Sequence, residues 1–261
     1  ASTETGLKDY YQKVQERVTA QVAEDEAGAM VGFYWITRHK FETGRFDFFL
    51  FVAPDRRGQG IGRRLYAEMT AIPEVAQATK LRASVRDDSL EDRAFAERRG
   101  YHELRHHFMM GLDLDAFDDR PFDAIIAHLE AEGFQFTSMA ALGNTEEAQC
   151  KLYALNDSTS ASTPGAEGEH SWESFEDFQK SVCQSDWYKP DGQIVVIDTL
   201  NGDWAAMSAI TRLEGNDYAY NLFTGVDQRY RGRKLGQAVK VTALRFARQA
   251  LGVHQVRTHH N

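Results

Sequence analysis

Between Ala53 and Met69 the chain reads APDRRGQGIGRRLYAEM: Gly58, Gly60 and Gly62 alternate among arginines, and a helical pattern follows at once. Residue types in this order can hold an anion. Glycine leaves the backbone bare, the first N–H groups of a helix have no intrahelical partner, and the positive end of the helix dipole adds to them. A phosphate is the ligand that suits such a turn. A second stretch, VDQRYRGRKLGQAVKVTAL from Val226 to Leu244, has the same outline, with Lys234 where the middle glycine falls. The nucleotide-binding versions do not match: the Gly-Lys-Ser/Thr ending of a P-loop is missing, and the third glycine of a dinucleotide fingerprint falls on Arg63. A lone triplet reads as a tight turn; its recurrence in a second half argues for more.

The elements that must position these turns repeat as well. Arg17 to Glu24 and Ala29 to His39 read as a hairpin about the turn-prone DEAG, and Phe46 to Ala53 is apolar on both parities, as in a central strand covered on both faces. Gln59 to Ala71 reads as a helix, Lys80 to Arg86 as a strand, Ser89 to Arg99 as a helix stopped by Gly100, and Tyr101 to Leu114 as extended. The first domain is therefore set at 1–115, followed by an acidic connector and short helix over 116–133 and a second domain over 134–261. In that domain Asn156 to Ser171 reads as a polar surface loop or a cover over a site. Strands at Gln193–Thr199, Ala205–Arg212 and Tyr218–Val226, a helix from Gly232 to Ala250 and a strand at Val253–Thr258 then restate the first half.

With those residues in view, Val52-x-Pro54-x-x-Arg57-Gly58-Gln59-Gly60-Ile61-Gly62-x-x-Leu65 resembles the acyl-CoA signature of the GNAT superfamily of N-acetyltransferases. The resemblance covers most of Arg17 to Leu114, and a weaker copy covers Phe134 to Asn261. It implies an α/β fold of two tandem GNAT-like domains, each a twisted mixed sheet flanked by helices with a splayed central strand pair. It implies acetyl-CoA, or another acyl-CoA, as cofactor. Leu50, Phe51 and Val52 would pair with the pantetheine arm, and a backbone N–H near Val52 would face the thioester carbonyl. Gly58, Gln59, Gly60, Ile61, Gly62 and Arg63 would hold the pyrophosphate, with Arg57 and Arg63 adding charge, although both arginines read equally well as solvated surface residues. In the weaker copy the matching positions are Thr224, Gly225, Val226, Arg231, Gly232, Arg233, Lys234, Leu235, Gly236 and Gln237, with Asn261 on the family's asparagine position. Lys234 would crowd the pyrophosphate or bind it as a point charge.

Acid and base catalysts are not identified. The family's tyrosine position falls on Ala96, its asparagine on Ser89, and a glutamate that some members carry on Ser84. Asp47 is the alternative base nearest in sequence, and it reads more readily as a salt-bridged strand residue. His106 with His107, and His259 with His260, alternate across strands and read as ordinary polar positions rather than metal ligands. Cys150 and Cys183 read as packing residues in a reducing, cytoplasmic compartment. With 39 acidic against 30 basic side chains, a net charge of −9, nothing supports a nucleic-acid or membrane partner, and a small amine acceptor, cationic by preference, fits better. Three readings stay open: an N-acetyltransferase acting by direct attack in a ternary complex, a non-catalytic acyl-CoA binder, and a tandem whose first half binds while its second turns over.

Overall fold

A computed structural model describes residues 18–39, 42–163 and 172–260. The chain forms two compact units, Ala1–Leu104 and Arg105–Asn261. In the first, β1 (Val18–Glu24), β2 (Met30–Arg38) and β3 (Arg45–Val52) lead into helix α1 (Ile61–Thr70), then β4 (Lys80–Ala83) and helix α2 (Leu90–Glu97). The sheet order is β1-β2-β3-β4, antiparallel except for the parallel pair β3–β4. Asp25 sets the hairpin turn: its carboxylate accepts from the N–H groups of Ala27 and Ala29 at 3.0 Å, and Gly28 supplies the left-handed residue at φ 79°.

Side-chain alternation along β3 decides what this sheet buries. Phe46 and Phe48 pack with Tyr34, Ile36, Leu65 and Met69 under α1, each large side chain contributing roughly 1.5–3 kcal/mol of hydrophobic stabilisation. Phe49 and Phe51 point the other way and are 40% and 37% exposed; Phe49 stacks on Trp35 at a centroid distance of 6.2 Å, and both meet Phe33 in tilted contacts at 5.7 Å. The expectation of a strand covered on both faces is thus corrected. An apolar run is shared by buried strands and by strands with one aromatic-lined open face.

The second unit comprises β5 (Phe108–Asp113), α3 (Asp123–Ala131), β6 (Phe134–Ser138), α4 (Glu146–Ala161), β7 (Gln193–Asp198), β8 (Asp203–Thr211), β9 (Ala219–Val226), α5 (Leu235–Gln249) and β10 (Gln255–His260). Its sheet runs β5-β10-β9-β8-β7-β6, with β9–β10 parallel and the other pairs antiparallel. Both faces are closed. Leu129 of α3 and Leu235, Ala238, Val239 and Leu244 of α5 pack on one side, while Leu152 and Leu155 of α4 with Phe178 pack on the other.

Two differences from the sequence reading have physical causes. The extended segment expected to finish the first domain instead pairs with β10, from Phe108 opposite His260 to Asp113 opposite Gln255, so the divide falls after Leu104 rather than at residue 115. Strand pattern specifies an extended segment but not its partner. The expected loop from Asn156 onward is helical through Ala161. Thr145 caps α4 by accepting from Ala148 N at 3.2 Å, and Thr159 Oγ1 donates back to Leu155 O at 2.6 Å. Such back-bonding lets a Ser/Thr-rich run stay in a helix. Residues 164–171 of that loop, like Arg17 and Asn261, lie outside the described residues.

A carboxylate ties the connector to α5. Asp119 accepts from Arg245 Nε at 2.5 Å and pairs with Arg248 at 3.2 Å, and Arg248 also donates to the carbonyls of Leu114 and Phe117 at 2.8 and 3.1 Å. The Arg245 guanidinium, with Arg248 beside it, holds the Asp119 carboxyl below the usual carboxylate range.

Candidate functional site

After β3 a single 3-10 turn, Pro54–Arg56, gives way to Arg57 in extended conformation; Gly58 and Gly60 then take φ 77° and 84° before α1 begins at Ile61. Left-handed geometry is what calls for glycine at both places, since a Cβ at Gly58 would meet nothing within 4 Å and one at Gly60 only the tip of Arg63 at 3.5 Å. Gly62 is different. A Cβ there would stand in ordinary contact with Val52 and Phe95, so helix-to-strand packing does not require it. Among the described residues nothing accepts from the N–H groups of Gly58 through Arg63; the first paired one is Arg64 N, to Gly60 O at 3.0 Å. These free donors at a helix N-terminus fit a phosphate. Arg57 donates from Nε to Val52 O at 3.4 Å and lies 3.6 and 3.8 Å from Glu91 and Asp92, while Arg63 is exposed.

The second turn repeats this geometry almost atom for atom. Gln228–Tyr230 forms the 3-10 turn, Arg231 is extended and donates from Nε to Val226 O at 3.4 Å, and Gly232 has φ 81°. Lys234 then takes φ 65°, ψ 9°, the left-handed conformation of Gly60, before α5 starts at Leu235. A residue with a Cβ pays roughly 1–2 kcal/mol there. The N–H groups of Gly232 through Gly236 find no acceptor among the described residues, while Gln237 N donates to Lys234 O at 3.1 Å, leaving one donor fewer than in the first turn. Arg231 reaches Ser162 Oγ at 2.5 Å, and Arg233 pairs with Glu132 at 2.6 Å while lying over the Phe134 ring. Lys234 forms no ion pair among the described residues.

Behind each turn two parallel strands part. β3 pairs with β4 only from Arg45 to Phe48, so Phe49, Leu50, Phe51 and Val52 continue without a neighbour on that side. β9 pairs with β10 only at Ala219 and Tyr220, and its remainder, including Thr224, Gly225 and Val226, is likewise free. A free edge offers backbone groups to an extended ligand. The strands differ in one respect. The β8–β9 register shifts between Ala209 and Ile210, which leaves Leu222 as a bulge, whereas β2–β3 runs without a shift. Asn221 is buried and locks the bulge: its Nδ2 donates to Ser208 Oγ and Ala209 O at 3.0 Å, and its Oδ1 accepts from Thr224 Oγ1 at 3.2 Å. Gly225 has no alternative, since a Cβ there would fall 2.5 Å from Thr159 Oγ1. Asn221, Ser208 and Thr159 carry no spacing signal that sequence reasoning could have used.

Proton-transfer groups are distributed unevenly. Asp47 is bound by Arg45 at 3.2 Å, and Ser89 Oγ donates to Asp92 at 2.6 Å. Tyr66 and Tyr101, not singled out from sequence, bring their hydroxyls to 3.1 Å against Phe48, and burial pushes the Tyr101 phenol far up. In the second unit Tyr220 and His259 meet across the strands that part. Burial pushes the Cys183 thiol up to about 11, which suits packing rather than attack. No group of three or more potential metal ligands occurs, and no helix is long and apolar enough to cross a membrane, among the described residues. A cleft lined by Glu24, Asp25, Arg56, Gln59, Arg64 and Glu68 lies between the hairpin turn and the start of α1, and so borders the glycine turn at Gln59.

Comparison with known proteins now bears on this geometry. Residues 16–103 match the family model described as an acetyltransferase (GNAT) domain. A search of curated proteins finds no match. Among solved structures, the chain is similar to a GCN5-related N-acetyltransferase from Sphaerobacter thermophilus (16% identity, TM-score 0.64, covering 92% of this chain and 71% of that one). It is similar to the GCN5-related glucosamine N-acetyltransferase region of a fungal multi-domain GH3 β-N-acetylglucosaminidase (19%, TM-score 0.69, 95% of this chain but 31% of that one). It is also similar over its whole length to a tandem GNAT protein of the clavulanic acid biosynthesis pathway (20%, TM-score 0.66, 80% of that chain). Residues 16–103 therefore carry the sequence pattern of a GNAT acetyltransferase domain, and the chain as a whole has the fold of a tandem GNAT protein.

Proposed function

We propose that the chain moves an acetyl or other acyl group from CoA to a primary amine by direct attack in a ternary complex, with no covalent intermediate on the protein. The observation that carries this reading is the repeated combination of a donor-lined glycine turn with a strand that loses its parallel partner just before it. Gly58 to Arg63 and Gly232 to Gly236 would hold the pyrophosphate, and the free edges of β3 and β9 would pair with the pantetheine arm. Bound acyl-CoA supplies the activated thioester; the protein fixes its carbonyl against a backbone donor near Val52 or Val226, where charge develops as the amine attacks. The acidic balance of the chain favours a cationic acceptor.

A non-catalytic role for the first unit is favoured by its own chemistry, since Asp47 is engaged by Arg45 and the positions at Ser84, Ser89 and Ala96 bear no acid or base suited to the step. Calorimetric titration of the whole chain with acetyl-CoA tests the common premise. Saturable binding, two per chain, is expected; no heat from folded protein would remove the acyl-transfer reading. A thiol assay with primary amines then separates enzyme from binder.

A further inference from the structure

The two units can be superposed residue by residue through their sheet registers. In the first, Asp47 lies between Thr37 on β2 and Arg82 on β4; in the second, Tyr220 lies between Thr211 on β8 and Arg257 on β10. The flanking threonine and arginine are the same and the central residue differs. Two residues beyond the arginine, Ser84 in the first unit becomes His259 in the second. The exchange turns an aspartate already neutralised by Arg45 into a tyrosine that meets an imidazole. Tyr220 Oη contacts His259 Nδ1, with the ring centroids 5.5 Å apart.

The position of this contact matters more than its existence. Tyr220–Arg257 is the last pair joining β9 to β10, so the two rings stand where the strands begin to part. Thr211, opposite Tyr220, donates to Trp187 O at 2.8 Å, which places both on the α4 face of the sheet. His259 is exposed, Met109 is its partner on β5, and its Nε2 makes no hydrogen bond among the described residues. In the tautomer protonated at Nδ1, the imidazole donates to the phenol oxygen and keeps a lone pair on Nε2, which suits a general base; the phenol keeps its own proton.

We propose that Tyr220 and His259 are the acid–base pair of the second unit. This rests on the acyl-transfer reading above and assigns turnover to that unit. As the amine nitrogen bonds to the acyl carbon, His259 Nε2 takes the nitrogen's proton. As the carbon–sulfur bond breaks, Tyr220 gives its hydroxyl proton to the sulfur, and His259 Nδ1 returns one to the phenol oxygen. The reaction then nets to amide and free CoA thiol with both side chains neutral, and proton exchange with solvent at the exposed ring returns His259 from the Nε2–H to the Nδ1–H tautomer.

The test combines binding, spectroscopy and rate on the whole chain. The imidazole resonance of His259, assigned by its loss in His259→Gln, is followed while acetyl-CoA or desulfo-CoA is added. A saturable shift that is larger with acetyl-CoA is expected, as is its reduction in Tyr220→Phe. With a reactive primary amine, CoA-thiol release should fall at least 100-fold in His259→Gln and 10-fold or more in Tyr220→Phe, while acetyl-CoA affinity stays within twofold. Binding of acetyl-CoA with a silent His259 resonance would overturn the pair and leave the acyl-transfer reading standing. Absence of acetyl-CoA binding in the wild type would overturn both. Both side chains lie at the sheet surface, and a second, milder variant, His259→Asn, guards against loss of folding as the cause.

Discussion

The two glycine turns share a backbone and differ in one side chain. Gly60 and Lys234 both sit at positive φ at the start of a helix, each after an arginine bonded to the last carbonyl of the preceding strand. What is kept is a run of free N–H donors, one shorter in the second turn; what varies besides is whether a charged side chain stands beside them. The difference would separate two ways of holding an anion, by bare backbone alone or by backbone plus an ammonium. The strands behind the turns differ in the opposite sense. β9 carries a bulge locked by Asn221, whereas β3 is regular. On the acyl-transfer reading, similar cradles with unequal strands would make binding the shared property and chemistry the divided one.

That comparison can be broken by exchange. Gly60→Glu places bulk and negative charge where the first turn presents its donors, and should weaken acetyl-CoA binding at that site by about 3 kcal/mol, on the order of 100-fold, in a calorimetric titration. Gly60→Lys, which copies the second turn, should cost far less affinity. Equal losses in the two variants would mean that bulk at the turn, not charge, decides.

Asp119→Ala should destabilise the second unit by about 2 kcal/mol, since Arg245 and Arg248 would lose their shared partner. The pH dependence follows from the same group. Its folded-state pKa is depressed, so its contribution is complete above the unfolded value near 3.8 and is lost as pH falls through the folded value. Urea unfolding of the wild type should therefore show stability falling below about pH 4, with a shallower fall in Asp119→Ala. Identical slopes would remove Asp119 from the account.

Asn221→Ala should cost about 1–2 kcal/mol by leaving Ser208 and the Ala209 carbonyl short of a donor under α5. If the bulge is what fits β9 to its task, that variant should also lower the rate of thiol release while acetyl-CoA affinity holds. Smallest of all, Lys234→Gly should raise stability by up to about 1 kcal/mol through relief of the left-handed strain, read as an upward shift of the second unit's melting temperature. A fall instead would show that the lysine gains from contacts its backbone conformation conceals.

Much of this was legible in the chain. The hairpin about DEAG, both glycine turns and the repeated element order follow from local rules: turn residues, helix starts and two-residue alternation. The parts that escaped are those set by partners distant in sequence. Phe108–Asp113 reads as a strand but not as a neighbour of β10, and Phe49 reads as core although its face stays partly open. Asn156–Ala161 looks like loop because its polar side chains satisfy themselves along the helix, as Thr159 does through Leu155. The pairing of Tyr220 with His259 depends on a parallel register that no spacing encodes.

The placement of β5 has a consequence for how such a chain can be taken apart or could have been assembled. The stretch that by repeat logic ends the first copy supplies the outermost strand of the second sheet, so the unit of repetition and the unit of folding are offset along the chain. A cut at the repeat seam would hand the second half over with the β10 edge bare, an open template for association with other chains. A cut ahead of Arg105 would leave that edge protected. Removal or exchange of one copy at the repeat seam would therefore damage its neighbour, whereas the same operation at the folding seam would not.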